Sequence, residues 1–355
     1  MTFSPTQTPM GEALRLLAER RDLPEELAYR AMEQLMAGRA SEAQIGAFLL
    51  GLRLKGETPG EVAAFARAMR QAAVRLSPRV ERFPGLLTDV CGTGGAPVKT
   101  FNVSTLTAFV AAGAGVPVAK HGNRGVTSPC GSADLLERLG VSLSAPPETV
   151  REAIETIGVG FLFAPAFHPA MKHAAPVRKA LGVRTVFNLL GPLTNPAGVQ
   201  AQLLGVFDPA LVELYPEVLR SLGVRRALVV HGVEGLDELS TVGPTLVGEL
   251  CPDGRVQRYR LTPEAFGLAR ARPQDIQGLP PEGSAQLADK LLRGRQKGAP
   301  YEMLLLNAGA AVYVGGGAAS LEEGLARAEE SLQSGAAYEK LQQLVARTNA
   351  PSGEP

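Results

Sequence analysis

The chain is short of cysteine: three residues, Cys91, Cys130 and Cys251, in 355. Their odd number and wide spacing fit neither a disulfide framework nor a zinc site, and point to a reducing, cytoplasmic setting. Net charge is also nearly absent, since 36 Lys and Arg against 35 Asp and Glu leave +1. A dedicated nucleic-acid binder carries a basic excess on one face. No nucleic-acid partner is therefore expected, and an anionic ligand has to be held by local charge, backbone N–H groups or a metal. The N-terminus lacks the basic start and apolar core of a signal peptide. The longest apolar stretch, Leu106 to Ala119, is broken by Gly113, Gly115 and Pro117, too short and interrupted to span a bilayer. A soluble protein without membrane attachment is expected.

What is present is enough apolar residue, 45%, for a core that folds without staples. The first 75 or so residues read as helix only. Pro24 suits a helix start ahead of Leu27, Ala31, Met32 and Leu35. Ser41 with Gln44 and Thr58 with Glu61 are capping-box patterns ahead of two further apolar stripes. Three short amphipathic helices are predicted, whose apolar faces could also serve a dimer contact. From Leu86 short apolar runs alternate with helical stretches. Strands are predicted at Leu86–Cys91, Val116–Lys120, Gly160–Ala164, Leu203–Phe207, Ala227–His231 and Thr245–Leu250, and helices at Ser132–Leu139, Glu148–Ile157, Leu211–Leu222 and Leu321–Val345. Such alternation defines an α/β fold with a mainly parallel central sheet. A linker is placed near Leu76–Pro84. The amphipathic segment His168–Leu181 reads as helix that packs back on the N-terminal helices. The domain reading is thus 1–76 with about 168–185 as a small helical N-terminal domain, 77–167 with 186–350 as a larger α/β domain, and 351–355 as a tail.

Four stretches and a later acid pair carry chemistry. Asp89-Val-Cys-Gly-Thr-Gly-Gly95 leaves a predicted strand, where glycines let the backbone turn tightly and bring N–H groups to an anion. It matches neither a P-loop, since Val98 precedes Lys99-Thr100, nor a dinucleotide fingerprint; alone, it is as readily a plain turn. Thr100-Phe-Asn-Val-Ser-Thr105 then enters a helix, with Asn102, Ser104 and Thr105 at an N-terminus that favours phosphate. An ordinary N-cap needs only one of them. Lys120-His-Gly-Asn-Arg-Gly-Val-Thr-Ser128 leaves another strand at the end where open α/β sheets bind ligands. The last stretch, His168 to Arg178 and on through Phe187–Pro196, holds a lone arginine that is either a surface residue or a bidentate clamp for a carboxylate. Its Gly191-Pro192 turn could wall an aromatic pocket. Farther on, Asp237-Glu238 is either a solvated turn or a holder for Mg2+, which binds one or two carboxylates plus ligand phosphates.

Together these segments resemble anthranilate phosphoribosyltransferase. The resemblance runs through Gly92-Thr-Gly-Gly95, Asn102-Val-Ser-Thr105, Lys120-His-Gly-Asn-Arg124, Gly131-Ser-Ala-Asp134, His168–Arg178, Phe187–Pro196, Leu236-Asp-Glu238 and Leu306-Asn-Ala-Gly-Ala-Ala311, and covers nearly the whole chain. It implies a nucleoside phosphorylase/phosphoribosyltransferase-like fold, an active site at the domain junction and a homodimer built through the helical domain. The implied activity belongs to tryptophan biosynthesis: phosphoribosyl moves from phosphoribosyl pyrophosphate to anthranilate, with Mg2+, and no side chain acts as covalent nucleophile.

Carried over by position, the activated sugar would be held by Gly92, Gly94, Gly95, Thr100, Asn102, Val103, Ser104, Thr105, Lys120, His121, Gly122, Asn123, Arg124, Thr127, Ser128 and Ser132. Anthranilate would meet Gly92, Asn123, His168, Arg178, Gly191 and Pro192. The metal ligands would be Ser104, Asp237 and Glu238. The chain departs from the family's usual pattern at Ala96-Pro97, where aspartate commonly follows the glycines, at Pro129-Cys130, and at Glu234. The rival readings are a phosphoribosyltransferase with another aromatic acceptor, a pyrimidine nucleoside phosphorylase, and a non-catalytic nucleic-acid-binding relative.

Overall fold

The computed structural model describes residues 8–125 and 128–350, which divide into two compact units. The first comprises the N-terminal residues to Arg75, then Pro165–Pro196 and Glu217–Leu222. Its second piece is thus longer than the expected 168–185, and a third short piece joins it. The second unit holds Leu76–Ala164, Ala197–Pro216 and the chain from Gly223 onwards.

The helical unit starts with four helices rather than three: α1 (Pro9–Ala18), α2 (Glu25–Met36), α3 (Glu42–Lys55) and α4 (Pro59–Ala72). The predicted capping boxes close α3 through Ser41 and Gln44, and α4 through Thr58 and Glu61. Met10, Met32, Leu35, Phe48, Leu52 and Phe65 are fully buried, and the rings of Phe48 and Phe65 meet edge-on at 5.6 Å. The segment read as one helix from His168 is two: a 3-10 turn Pro169–His173 and a helix Ala175–Leu181. Pro176 lacks the N–H a continuous helix would need, so the helix restarts with it in the first turn. Arg70 ties the pieces of this unit together, donating to the carbonyls of Leu193 (2.7 Å) and Leu222 (3.3 Å).

One buried ion cluster fixes the α3–α4 corner. Lys55 donates from Nζ to Glu61 Oε2 (2.9 Å) and Asp22 Oδ1 (2.8 Å). Glu61 also accepts from the N–H groups of Leu23 and Thr58, each at 2.8 Å. Burial alone would lower the Lys55 ammonium, but Asp22 and Glu61 hold it above its ordinary value.

The second unit is built on seven strands: β1 (Thr88–Gly92), β2 (Val118–Gly122), β3 (Val159–Phe163), β4 (Ala201–Gly205), β5 (Arg226–Gly232), β6 (Thr245–Leu250) and β7 (Val256–Leu261). Their order is β3-β2-β1-β4-β5-β6-β7. The first five are parallel and the last two antiparallel. The seventh was not expected. Its Val-Gln-Arg-Tyr-Arg-Leu sequence is exposed at Gln257, Arg258 and Arg260 and fully buried nowhere, as a charged edge strand is. β1 to β4 lie within two residues of their predicted places. Helix α5 (Val103–Gly113) follows β1, and the nearly all-buried helix Ala299–Val314 forms the centre of the core with it. The C-terminal Leu321–Val345 region is two helices, Leu321–Gln333 and Ala336–Asn349, parted by Gly335 at φ +83°.

Strand order decides where a ligand can sit. From β1 the chain winds outward through β2 and β3, then returns to lay β4 on the other side of β1 and continues to β5. Connections from β1 and β4 therefore leave in opposite directions and open a crevice beyond the carboxyl ends of those two strands. Those ends are Gly92 and Gly205, paired in register.

Candidate active site

The crevice is filled from a third direction. After β5 the chain makes a tight turn in which Gly232 pairs with Leu236, and this brings Asp237 over both strand ends. A Cβ on Gly92 would lie 2.9 Å from Asp237 Oδ2, and one on Gly205 would overlap the Asp237 carbonyl oxygen at 1.6 Å. Any side chain at position 205 is thereby excluded. The Gly94 N–H donates to Asp237 Oδ2 at 3.1 Å, from a backbone at φ +66° that L residues rarely adopt. Thr93 laces the two ends, its N–H on the Gly205 carbonyl (2.9 Å) and its Oγ1 accepting from Phe207 N (3.0 Å).

Glu238 reaches the start of α5, where its carboxylate accepts from the Ser104 N–H. The free N–H groups of a helix start attract an acid in this way. Asn102 occupies the N-cap position but does not cap with its side chain. Its amide donates instead to Cys130 O (2.9 Å), joining the second of the four sequence stretches to the chain that follows the third. Lys120, almost wholly buried, donates to Val90 O (2.6 Å) and Ser104 Oγ (3.3 Å). Asp89 is completely buried beside it and accepts from the His121 N–H at 3.1 Å.

The electrostatics are lopsided. Burial raises the Asp237 carboxyl above its ordinary value, opposed in part by Lys99. Burial, then repulsion from Asp237, pushes Glu238 up to about 8, with Lys120 countering. Both retain some surface at the crevice, yet are packed closely enough to lose much of their hydration. Burial lowers Lys120 despite Asp89 and Glu238. Two adjacent carboxylates, a serine hydroxyl and one weakened ammonium leave a local excess of hard oxygen donors, the chemistry of a Mg2+ site completed by ligand phosphates. Among the described residues no group of three or more His, Cys, Asp or Glu could hold a metal, so ligand oxygens would have to complete the sphere.

The structure thus gathers Gly92, Gly94, Ser104, Lys120, Asp237 and Glu238, which are scattered over more than 140 residues. Not every predicted residue presents its side chain there. Val103 and Thr105 are buried to 1% exposure, because α5 is covered by core on nearly every side. This corrects the expectation that Thr105 offers a polar side chain at the helix start. Arg124 is engaged by Asp134 and Glu137, which raise its already high value further. Gly122 lies against Ser132, whose Oγ donates to Asn123 O (3.2 Å). Gly95 (φ +74°), Thr100 and Ser128 stand on the same loops. Thr127 falls outside the described residues.

In the helical unit, Arg178 is half-buried with its guanidinium 5.1 Å from the Phe187 ring centre. Among the described residues it has no carboxylate partner, and burial lowers its value. His168 is buried, which pushes it down to about 4 and keeps it neutral. Pro192 is buried and Gly191 exposed.

Asp89, Thr93 and Lys99 belong to the site's fabric without having been picked from the sequence. An acid inside an otherwise apolar strand was a readable signal for Asp89. The other two carry none that separates them from loop polarity.

A helical bundle joined in one chain to a switch-point α/β sheet, with glycine turns and an acid pair at the strand ends, defines the glycosyl transferase family. Residues 11–73 match its helical bundle domain and residues 85–338 its a/b domain. The chain belongs, within it, to the anthranilate phosphoribosyltransferases. It is 50% identical over 340 residues to the enzyme of that name from Desulfosudis oleivorans, covering 96% of this chain and 99% of that one. The crystal structure of anthranilate phosphoribosyltransferase from Thermus thermophilus is similar at 52% identity and a TM-score of 0.89, covering 95% and 99%. The Saccharomyces cerevisiae enzyme in complex with PRPP and Mg is similar at 27% identity and a TM-score of 0.87, covering 96% and 98%.

Proposed function

We propose that the chain transfers phosphoribosyl from phosphoribosyl pyrophosphate to anthranilate in tryptophan biosynthesis, yielding N-(5-phosphoribosyl)anthranilate and pyrophosphate. The observation that carries this reading is the landing of Asp237-Glu238 on the β1 and β4 ends, against the Gly94 N–H and the Ser104–Lys120 pair. In the reaction the bond from the anomeric carbon to pyrophosphate breaks and a bond to the amine nitrogen forms, whose surplus proton leaves to solvent. Negative charge grows on the departing pyrophosphate. The glycine turn lets the backbone approach that charge closely, and the Lys120 ammonium opposes it. Asp237 and Glu238, with Ser104, would hold Mg2+, which supplies charge neutralisation to the leaving diphosphate. An aromatic amine is neutral at pH 7 and needs positioning more than a base. Arg178, which has no carboxylate partner among the described residues, supplies a fork for the anthranilate carboxylate. His168, Gly191 and Pro192, with Gly92 and Asn123, complete the acceptor's surroundings in this reading.

The test is loss of anthranilate fluorescence on mixing with phosphoribosyl pyrophosphate and Mg2+. Phosphate-dependent cleavage of a pyrimidine nucleoside, with anthranilate untouched, would refute the assignment. We also assign a homodimer through the helical unit. α3 buries Ile45, Phe48, Leu49 and Leu52, yet it leaves Leu50 and Leu54 exposed at 42% and 68%, one turn apart and free for a second copy. Light scattering of Leu50→Glu/Leu54→Glu against the wild type reads this. Three unpaired cysteines and the absence, among the described residues, of a helix able to cross a membrane support a cytoplasmic setting.

A further inference from the structure

The acid pair sits on a turn, and turns are mobile unless something holds them. On one side Leu236 is fully buried and hydrogen-bonded to Gly232 through both N–H (3.2 Å) and carbonyl (2.9 Å). On the other side Leu239 is 1% exposed, and its backbone is gripped by a single distant side chain. Asn307 Oδ1 accepts from the Leu239 N–H at 3.0 Å, and Asn307 Nδ2 donates to the Leu239 carbonyl at 2.9 Å. The remaining Nδ2 hydrogen goes to Met303 O, one turn back in the same helix, at 2.9 Å.

Asn307 has no exposed surface and lies in the otherwise apolar run Leu304–Val314. A buried amide there is unfavourable unless every group is paired, and here each is. A carboxamide carries its donor and its acceptor on separate atoms of one short planar group, as a peptide unit does, so Asn307 behaves as one rung of a β-ladder offered by a helix. The rung also sets register. With Leu236 and Leu239 both pinned, the two residues between them cannot slip along the strand ends, and the Asp237 carbonyl stays closed against Gly205.

We propose that Asn307 is a positioning residue for the divalent-cation pair, holding Asp237 and Glu238 in register before any cation or diphosphate arrives. The inference rests on the metal role assigned above. Outer partners of metal ligands change affinity by about 10–100-fold when removed, and the same range is expected here. The probe is Mn2+ with phosphoribosyl pyrophosphate, free Mn2+ being counted by electron paramagnetic resonance. The isosteric Asn307→Asp keeps the acceptor and loses both donors, and Asn307→Leu loses all three bonds. Both should weaken Mn2+ about 10–100-fold, and raising the metal concentration should restore most turnover.

Ser331→Ala is the structural control. It removes a buried bond to Val110 O (2.9 Å) in the same core and should lower the melting temperature without moving Mn2+ affinity. Asn307 variants that melt earlier yet bind Mn2+ within twofold of wild type overturn the proposal. A measurement on the wild type covers the case in which the variants do not fold: the Leu239 amide should exchange with deuterium as slowly as core amides, and free exchange without ligand overturns it equally. Wild-type protein that binds Mn2+ but never consumes anthranilate would instead remove the functional reading and leave the Asn307 comparison standing.

Discussion

Two partly buried carboxylate clusters in this chain are built on opposite terms. In the helical unit Glu61 meets Lys55 and two N–H donors, and Asp22 supplies the ammonium with a second carboxylate. In the α/β unit Asp237 and Glu238 face each other with one buried ammonium nearby, and both rise. The first cluster is complete as the chain folds. The second stays short of positive charge, and that shortfall is what a divalent cation and its diphosphate satisfy. Burial alone therefore does not separate a structural acid from a functional one; the balance of charge around it does.

The contrast breaks most visibly at Lys55. Lys55→Met strands Glu61 and should cost about 3–5 kcal/mol of stability, read by denaturant melts, while the Mg2+ dependence of turnover stays as in wild type. Asp237→Asn should act the other way, lowering turnover by about 10²–10³-fold with a melting temperature equal to or above wild type without ligand. A clear loss of stability there would place Asp237 with Glu61 as a structural acid.

Arg178→Ala should raise the anthranilate KM by about 10–100-fold, since a charge-assisted bond contributes about 1.5–3 kcal/mol, and leave that for phosphoribosyl pyrophosphate nearly unchanged. An unchanged anthranilate KM removes the clamp.

A pH series sharpens the comparison further. A carboxyl raised on folding binds its proton in the native state when the unfolded chain has lost it. Stability of the ligand-free protein should thus fall as pH rises from about 4.5 to about 8. Glu238→Gln should flatten that slope, and Mg2+ with pyrophosphate should oppose it; equal slopes in both proteins would count against the shift. Thr58→Ala, which only uncaps α4, is the smallest change, about 1 kcal/mol.

Much of the architecture was legible in residue pattern. Capping boxes at Ser41 and Thr58, alternating apolar runs from Leu86 and glycine turns after two of them located the elements and the binding end of the sheet. Three features escaped. The first helix begins at Pro9 behind a Thr8 cap but has no capping box, and β7 is an edge strand whose polar positions erase the apolar alternation. Thr105 looked like a ligand because it stood among polar neighbours, although α5 is buried on nearly every side and takes it into the core. The anion loops were readable because their chemistry is local. Asn307 and Lys99 gain meaning only from partners that lie far off in the chain, and no window along the sequence contains both halves of such a pair.

The pairing of Gly92 with Gly205 and the arrival of Asp237 above them also order events in time. A ribosome finishes the helical bundle's first 75 residues and three strands long before it makes the segment that crowns the crevice. β4 must find β1 across more than a hundred intervening residues, an entropically slow search. Any nascent chain shorter than about 240 residues carries glycine loops with nothing to grip. Enzyme activity should appear as a late, single event in synthesis, after the fold's outline is already present.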